Sequence, residues 1–232
     1  MIYVGAILFV GLLVQFLGGT SAEKIFGTLP IAYYATSLFI FMLIGNQNFA
    51  AGAFSIWRMD ILSKPLSHEL FLLGNFLGSL LSNLALSIFL LILSLAISFP
   101  SLTMLDLVFL MISLCLSIIA SIGVSYFFAG IGLTTIPQGY LYTALTFLLT
   151  VFAGVFVPIG TFPLPLQCVC YIIPYTWAVD SFRGILLRTP TLLPIEIEIL
   201  VLLASGSATL FLGRFYLSMK LKSIRSRKIV VR

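Results

Sequence analysis

Long apolar stretches separated by short polar ones dominate this 232-residue chain. A transmembrane helix needs roughly 20 apolar residues, and a bilayer core about 30 Å thick cannot hold the uncharged stretch 107–179 as one helix. We expect that stretch to break at Thr134–Gly139 (TTIPQG). The first stretch has neither a basic flank nor a small-residue cleavage site, which favours a retained span over a signal peptide. The pattern predicts six transmembrane helices, at about 2–19, 31–53, 70–99, 107–133, 139–157 and 199–219.

Three further segments differ from these helices. Residues 54–69 interleave charged and apolar side chains around Pro65, which predicts a short amphipathic helix at the membrane surface. Residues 158–188 remain apolar and aromatic, but prolines exclude one continuous helix. We therefore expect short re-entrant helices there, with their backbone polar groups covered by protein. Residues 220–232 form a basic tail.

The composition places the chain among membrane proteins. Hydrophobic residues make up 61% of it and charged residues only 8%, with a mean hydropathy of +1.20, whereas soluble domains carry about a quarter charged residues. The net charge of +5 does not indicate nucleic-acid binding, because half of the Lys and Arg residues lie in the last thirteen positions. A basic tail beside a membrane helix is typical of a topology determinant that binds anionic lipid headgroups.

The charges also predict an orientation. With six spans, nine of the twelve Lys and Arg residues fall on the side of residues 54–69 and of the tail. The positive-inside rule assigns that side to the cytoplasm. We expect a multi-pass protein of the cell membrane with both termini in the cytoplasm.

Polar or small residues recur about every fourth position within the third, fourth and fifth spans; in the fourth they are Ser113, Ser117, Ser121, Ser125 and Ala129. Such spacing places them on one helix face. Hydroxyl and amide side chains hydrogen-bond between membrane helices, so we interpret these faces as helix-packing surfaces, with a wall of a transport pathway as the alternative. The candidates are Asn75 and Asn83 in the third span and Thr143, Thr146 and Thr150 in the fifth.

The sequence does not indicate an enzyme or a resident cofactor. No ionisable residue is expected in the middle of any span, which argues against an ion-driven carrier. The chain has no GxxxxGK[ST] phosphate-binding loop and no HExxH zinc motif, and its single histidine lies in the predicted cytoplasmic loop. We therefore expect no catalytic residues, no metal ligands and no ATP hydrolysis by this chain alone.

Two stretches resemble a known family. The first is Leu62–Leu70 (LSKPLSHEL); the second begins at Gly154–Pro158 (GVFVP) and continues in Tyr171–Gly184 (YIIPYTWAVDSFRG). In this order and at this separation they resemble the permease subunits of type-2 ABC transporters, which export drugs, lipids, polysaccharides or ions. The resemblance extends from about Pro30 to the end of the chain.

The resemblance implies a partner and a division of the chain. Permeases of this family form homodimers or heterodimers and use ATP and Mg bound by a separate ATPase subunit, which docks on the coupling helix between the second and third spans. Here the implied coupling residues are Arg58, Asp60, Lys64, Pro65, Leu66, Ser67, His68 and Glu69. The implied re-entrant outer helices contain Pro158, Pro163, Pro174, Thr176, Asp180 and Arg183.

Within the re-entrant segment, Thr176 is expected to cap the start of a short helix, and Asp180 and Arg183 to form a structural ion pair on it. The alternative function is a passive channel or a membrane assembly protein that works without nucleotide.

Overall fold

The computed structural model describes residues 11–14, 18, 23–44, 68–98, 100–132 and 139–230, with side chains described outside 132–143 and 224–230. These residues form helices and connecting turns, with no β-strand among them. The helices are α1 (Pro30–Ile44), α2 (His68–Ser98), α3 (Met104–Gly132), α4 (Gly139–Phe152), α5 (Leu164–Ile172), α6 (Pro174–Leu187) and α7 (Ile195–Val230). A 3₁₀ turn, Ile159–Thr161, precedes α5.

Four helical stretches in the described part of the chain are long and apolar enough to cross a membrane. They are Glu23–Ile44, His68–Ser98, Met104–Ile131 and Ile195–Ser223. The prediction of an all-α protein with transmembrane helices agrees with this. The first predicted span lies mostly outside the described residues, as do the end of the second span and residues 54–67 of the predicted coupling helix.

Helix α1 occupies the centre of the fold. All of its residues except Ile31 and Met42 are buried, and it packs against α2 and α6. A helix that is apolar all round is suited to burial on every side. Helix α6 is equally enclosed, since only Leu187 among its residues is not buried. The remaining long helices expose many large apolar side chains, as expected for helices that face lipid.

Among the helices that the structure describes, α3 and α7 form the most extensive pair. They approach closely because Gly123 of α3 lies directly against Gly213 and the backbone of Leu210 in α7. Further along the pair, Gly206 faces Ala120 and Gly130 faces the ring of Tyr216. Small residues allow membrane helices to pack backbone against backbone in this way.

Two helices end elsewhere than the sequence pattern predicts. The fifth predicted span reached residue 157, but α4 ends at Phe152, because the chain turns at Gly154 with a φ of 73° that favours glycine. Helix α4 therefore has 14 residues, about 21 Å, which is shorter than a bilayer core. Helix α7 has 36 residues and continues past residue 219 into the basic tail, where Lys and Arg are good helix formers.

Candidate functional site

The prolines of segment 158–188 all stand at the beginnings of helices. Pro158 precedes the 3₁₀ turn, Pro163 precedes α5, and Pro174 is the first residue of α6. Proline is tolerated at these positions because the first N–H groups of a helix have no partner within it. The segment thus folds into two short helices, and α6 is the one covered by protein.

The predicted role of Thr176 as a helix cap is wrong. Helix α6 begins two residues earlier, at Pro174, with no side-chain cap, because proline starts the helix without needing one. The Thr176 hydroxyl instead lies 2.7 Å from the carbonyl oxygen of Cys170 and 3.2 Å from that of Phe152. It therefore joins the beginning of α6 to the ends of α5 and α4.

Asp180 and Arg183 form a buried ion pair on α6. The Nη2 atom of Arg183 donates to Oδ1 of Asp180 at 2.9 Å, and the two side chains are 3% and 10% exposed, respectively. The spacing of three residues places both on one helix face. A guanidinium group this deeply buried needs further acceptors, because an uncompensated buried charge is costly.

The turn after α4 supplies such an acceptor. The Gly154 carbonyl oxygen accepts hydrogen bonds from Nη1 of Arg183 at 2.9 Å and from the Tyr33 hydroxyl at 2.8 Å. The Arg183 guanidinium also lies 4.4 Å above the centre of the Tyr33 ring, where a cation is attracted by the ring electrons. Arg183 therefore holds α1, α6 and the 153–155 turn together.

Two acidic side chains fix the loop between α6 and α7. Oδ2 of Asp180 accepts a hydrogen bond from the backbone N–H of Leu192 at 2.9 Å, and Oε1 of Glu198 accepts one from Leu193 at 3.2 Å. Glu198 is fully buried at the beginning of α7, and its Oε2 atom has no hydrogen-bond partner among the described residues. We call Tyr33, Gly154, Asp180, Arg183 and Glu198, with the two amides, the outer network.

A second ion pair lies at the same end of the bundle. Nη2 of Arg188 is 2.6 Å from Oδ2 of Asp106, and Asp106 also accepts hydrogen bonds from the backbone N–H and the hydroxyl of Thr103 at 2.8 Å. These bonds satisfy donors at the start of α3, as an N-terminal cap does. Arg188 ends α6 in the left-handed conformation, with a φ of 55°.

The opposite end of the bundle carries an exposed pair. Nη2 of Arg214 lies 3.0 Å from Oε1 of Glu69, and the side chains are 66% and 52% exposed. His68 is buried at the beginning of α2. His68 and Glu69 are the two predicted coupling residues that the structure describes. The other six lie outside the described residues: Arg58, Asp60, Lys64, Pro65, Leu66 and Ser67.

The polar faces of the long helices differ in what they contact. Asn75 donates to the carbonyl oxygen of Phe71 at 3.1 Å, and Thr150 donates to that of Thr146 at 2.7 Å, so both bond within their own helices. Asn83 is partly exposed on α2, and the side chain of Thr143 lies outside the described part. The pathway and packing interpretations of these residues remain predictions.

Within the serine stripe of α3, Ser113 and Ser121 bond to other helices, whereas Ser117 donates to the carbonyl oxygen of Ser113. The Ser113 and Ser181 hydroxyls are 2.8 Å apart, and Ser121 donates to the carbonyl oxygen of Ile44 at 2.6 Å. Interhelical hydrogen bonds of this kind stabilise membrane helix packing.

Sequence reasoning identified Asp180 and Arg183 but missed Tyr33 and Glu198 as their neighbours. Glu196 and Glu198 stand two positions apart at the beginning of an apolar helix, and the structure exposes the first and buries the second. Two residues that close together lie on different faces of a helix. The sequence therefore predicts different environments for Glu196 and Glu198 but does not indicate which of them is buried.

Comparison with known proteins gives the family. The family model described as ABC-2 type transporter matches residues 1–187, which includes α1 through α6 and hence most of the outer network. No curated protein matches the chain. Permeases of this family typically pair with an ABC ATPase subunit. This chain belongs to the ABC-2 type transporter family and is a membrane permease.

Proposed function

We propose that this chain is the permease subunit of an ATP-driven exporter with six spans and both termini in the cytoplasm. The observation that carries the proposal is the separation of charges between the two ends of the bundle. The buried network and the Arg188–Asp106 pair lie at one end, and the Arg214–Glu69 pair lies at the other. Among the described residues, the helix stretches between these ends contain no charged side chain.

This distribution supports an energy source outside the chain. Ion-driven carriers use acidic or basic groups near the middle of the membrane, and the described helices offer none at that depth. In a family whose permeases typically pair with an ATPase, ATP and Mg would be bound by that partner. The exposed end of α2 with Glu69, together with the adjoining residues 54–67, is the surface that we assign to ATPase docking.

Co-purification tests the docking surface. A tagged permease extracted in mild detergent should retain an ATPase subunit, and Lys64→Glu should release it because the charge at the contact is reversed. Glu196→Lys is the matched control, since Glu196 is an exposed residue at the opposite end. Absence of an ATPase from the unmodified complex would contradict the proposal. So would solute flux in liposomes that contain this chain alone, which would instead support the passive channel.

Cysteine labelling tests the orientation separately. After replacement of Cys115, Cys168 and Cys170, single cysteines at Lys64 and Lys222 should react only with a reagent in the cytoplasm. A cysteine at Ser101, in the exposed loop before α3, should react only from outside. Labelling of Lys64 and Lys222 positions from opposite faces would refute the six-span topology.

A further inference from the structure

An apolar groove of about 390 Å³ lies between α3, α4 and α7. Its lining includes Phe127 and Phe128 of α3, Leu145 and Leu148 of α4 and Leu212 of α7. Gly123 and Gly213 also line it, at the point where α3 and α7 are closest. The side chains of Phe127, Leu148 and Leu212 are each more than 40% exposed, so the groove opens on the surface of helices that face lipid.

A positively charged side chain, Lys220, lies just beyond the groove, towards the C-terminus of α7. The ring of Phe127 lies 5.0 Å from that of Tyr216, and Nζ of Lys220 lies 5.3 Å from the centre of the Tyr216 ring. Lys220 is seven residues after Gly213, which corresponds to about 10 Å along a helix. An apolar surface therefore leads over two aromatic rings to a positive charge.

The basic tail places more positive charge at the same end. The last thirteen residues, from Lys220 onwards, contain six Lys and Arg residues and no acidic residue. Tyrosine and lysine near the end of a membrane helix are typical of the level of the lipid headgroups. The groove and the cation thus match the two parts of one kind of molecule, a lipid with an apolar chain and an anionic headgroup.

We propose that this groove binds one anionic phospholipid of the cytoplasmic leaflet, with an acyl chain between α4 and the α3–α7 pair and the phosphate beside Lys220. The lipid is a resident part of the permease and not its cargo, so the site is independent of the transport reaction. It fills the space beside Leu145 and Leu149 of α4, which pack against the apolar cluster that includes Phe128 of α3 and Leu217 of α7. The orientation, with Lys220 at the cytoplasmic leaflet, follows the proposed topology.

Native mass spectrometry of the purified permease tests this site without an ATPase. Delipidated protein is mixed with dioleoyl phosphatidylglycerol or with dioleoyl phosphatidylcholine, and the retained lipid is counted. We expect one phosphatidylglycerol molecule to be retained more strongly than phosphatidylcholine. Lys220→Gln should weaken phosphatidylglycerol binding about fivefold, as expected for one Lys near an anionic surface, while Lys222→Gln, an exposed neighbour, should change it less than twofold.

A second pair of variants tests the groove itself. Leu148→Trp fills the groove and should abolish retention of the tightly held lipid, whereas Leu81→Trp, on an exposed part of α2 outside the groove, should not. Leu212→Trp fills the same space from α7 and serves if the first variant fails to fold.

Equal retention of the two lipids by the unmodified protein would overturn the proposal. Equal effects of the two lysine variants, or of the filling variants and Leu81→Trp, would overturn it as well. A failure of ATPase co-purification would leave these measurements unchanged, so the two proposals fail separately.

Discussion

Replacement of Arg183 with Met removes the only charged donor of the outer network in the described part of the chain while it keeps a side chain of similar length. Arg183 is 2% exposed and contacts the Asp180 carboxylate, the Gly154 carbonyl oxygen and the Tyr33 ring. Without Arg183, the buried Asp180 carboxylate would have no cationic partner. It would keep only the hydrogen bond from the Leu192 N–H, next to the Leu193 N–H that donates to Glu198. Loss of one partner from a buried ion pair costs about 3–5 kcal/mol.

The Arg214–Glu69 pair provides the control. Both of its side chains are more than half exposed, and pairs of this kind contribute about 0–1 kcal/mol because water and salt screen them. Arg214→Met should therefore lower the free energy of unfolding by less than about 1 kcal/mol. The expected difference between the two variants is at least about 2 kcal/mol, or roughly thirtyfold in the folding equilibrium.

Reversible unfolding in mixed detergent micelles measures these free energies, with the fluorescence of Trp177 on α6 as the signal in a Trp57→Phe background. A double variant, Asp180→Asn with Arg183→Met, leaves less unpaired charge than Arg183→Met alone and should be less destabilised than the sum of the single variants. Our interpretation of the network would be refuted if Arg183→Met cost no more than Arg214→Met. Strict additivity of the two single variants would refute the coupling between Asp180 and Arg183.

Three further substitutions test the packing and are measured by the same unfolding assay. Gly123→Ala places a methyl group against the backbone of α7 and should lower the free energy of unfolding by about 1–3 kcal/mol. Gly78→Ala, with open space around it, should be neutral or stabilise α2 by up to about 1 kcal/mol. Equal effects of the two variants would contradict the close contact between α3 and α7. Thr176→Val should cost about 1–3 kcal/mol because it leaves no hydroxyl between two buried carbonyl groups, and Thr161→Val, at an exposed turn, should cost less. Tyr33→Phe removes one of the two hydrogen bonds to Gly154 and should cost about 0.5–1.5 kcal/mol, and no loss would show that Arg183 alone satisfies that carbonyl group.

The positions of the long lipid-facing helices follow from the sequence because charges and prolines interrupt the apolar pattern near their ends. The predicted span 70–99 corresponds to α2 at His68–Ser98, and 107–133 corresponds to α3 at Met104–Gly132. Asp106 begins α3 because its carboxylate bonds to Thr103. No charge or proline lies at Phe152, where α4 ends. The turn at Gly154 lies within an apolar run, so the sequence pattern does not predict that the helix ends there.

Burial within the bundle could not be predicted from the same pattern. In a membrane both lipid and protein neighbours are apolar, so the sequence of a helix such as α1 has the same apolar pattern whether the helix faces lipid or protein. The polar residues Tyr33 and Thr36 in α1 indicate contact with other parts of the protein, because their hydroxyl groups need hydrogen-bond partners that lipid chains do not supply. Tyr33 bonds to Gly154, and the Thr36 hydroxyl lies 2.5 Å from that of Ser94 in α2. Contacts between residues more than fifty positions apart depend on the tertiary fold, which no local pattern specifies.

The two ends of the bundle differ in how firmly their charges hold the helices. At the end that carries the outer network, buried polar and charged groups join α1, α6, α7 and the turn after α4, and breaking any member leaves a desolvated group unpaired. At the other end, an exposed ion pair joins α2 to α7 at little energetic gain. A nucleotide-dependent partner can shift a permease only by the difference in its binding energy between two arrangements. We therefore expect the helices to separate first at the Arg214–Glu69 end while the outer network stays intact.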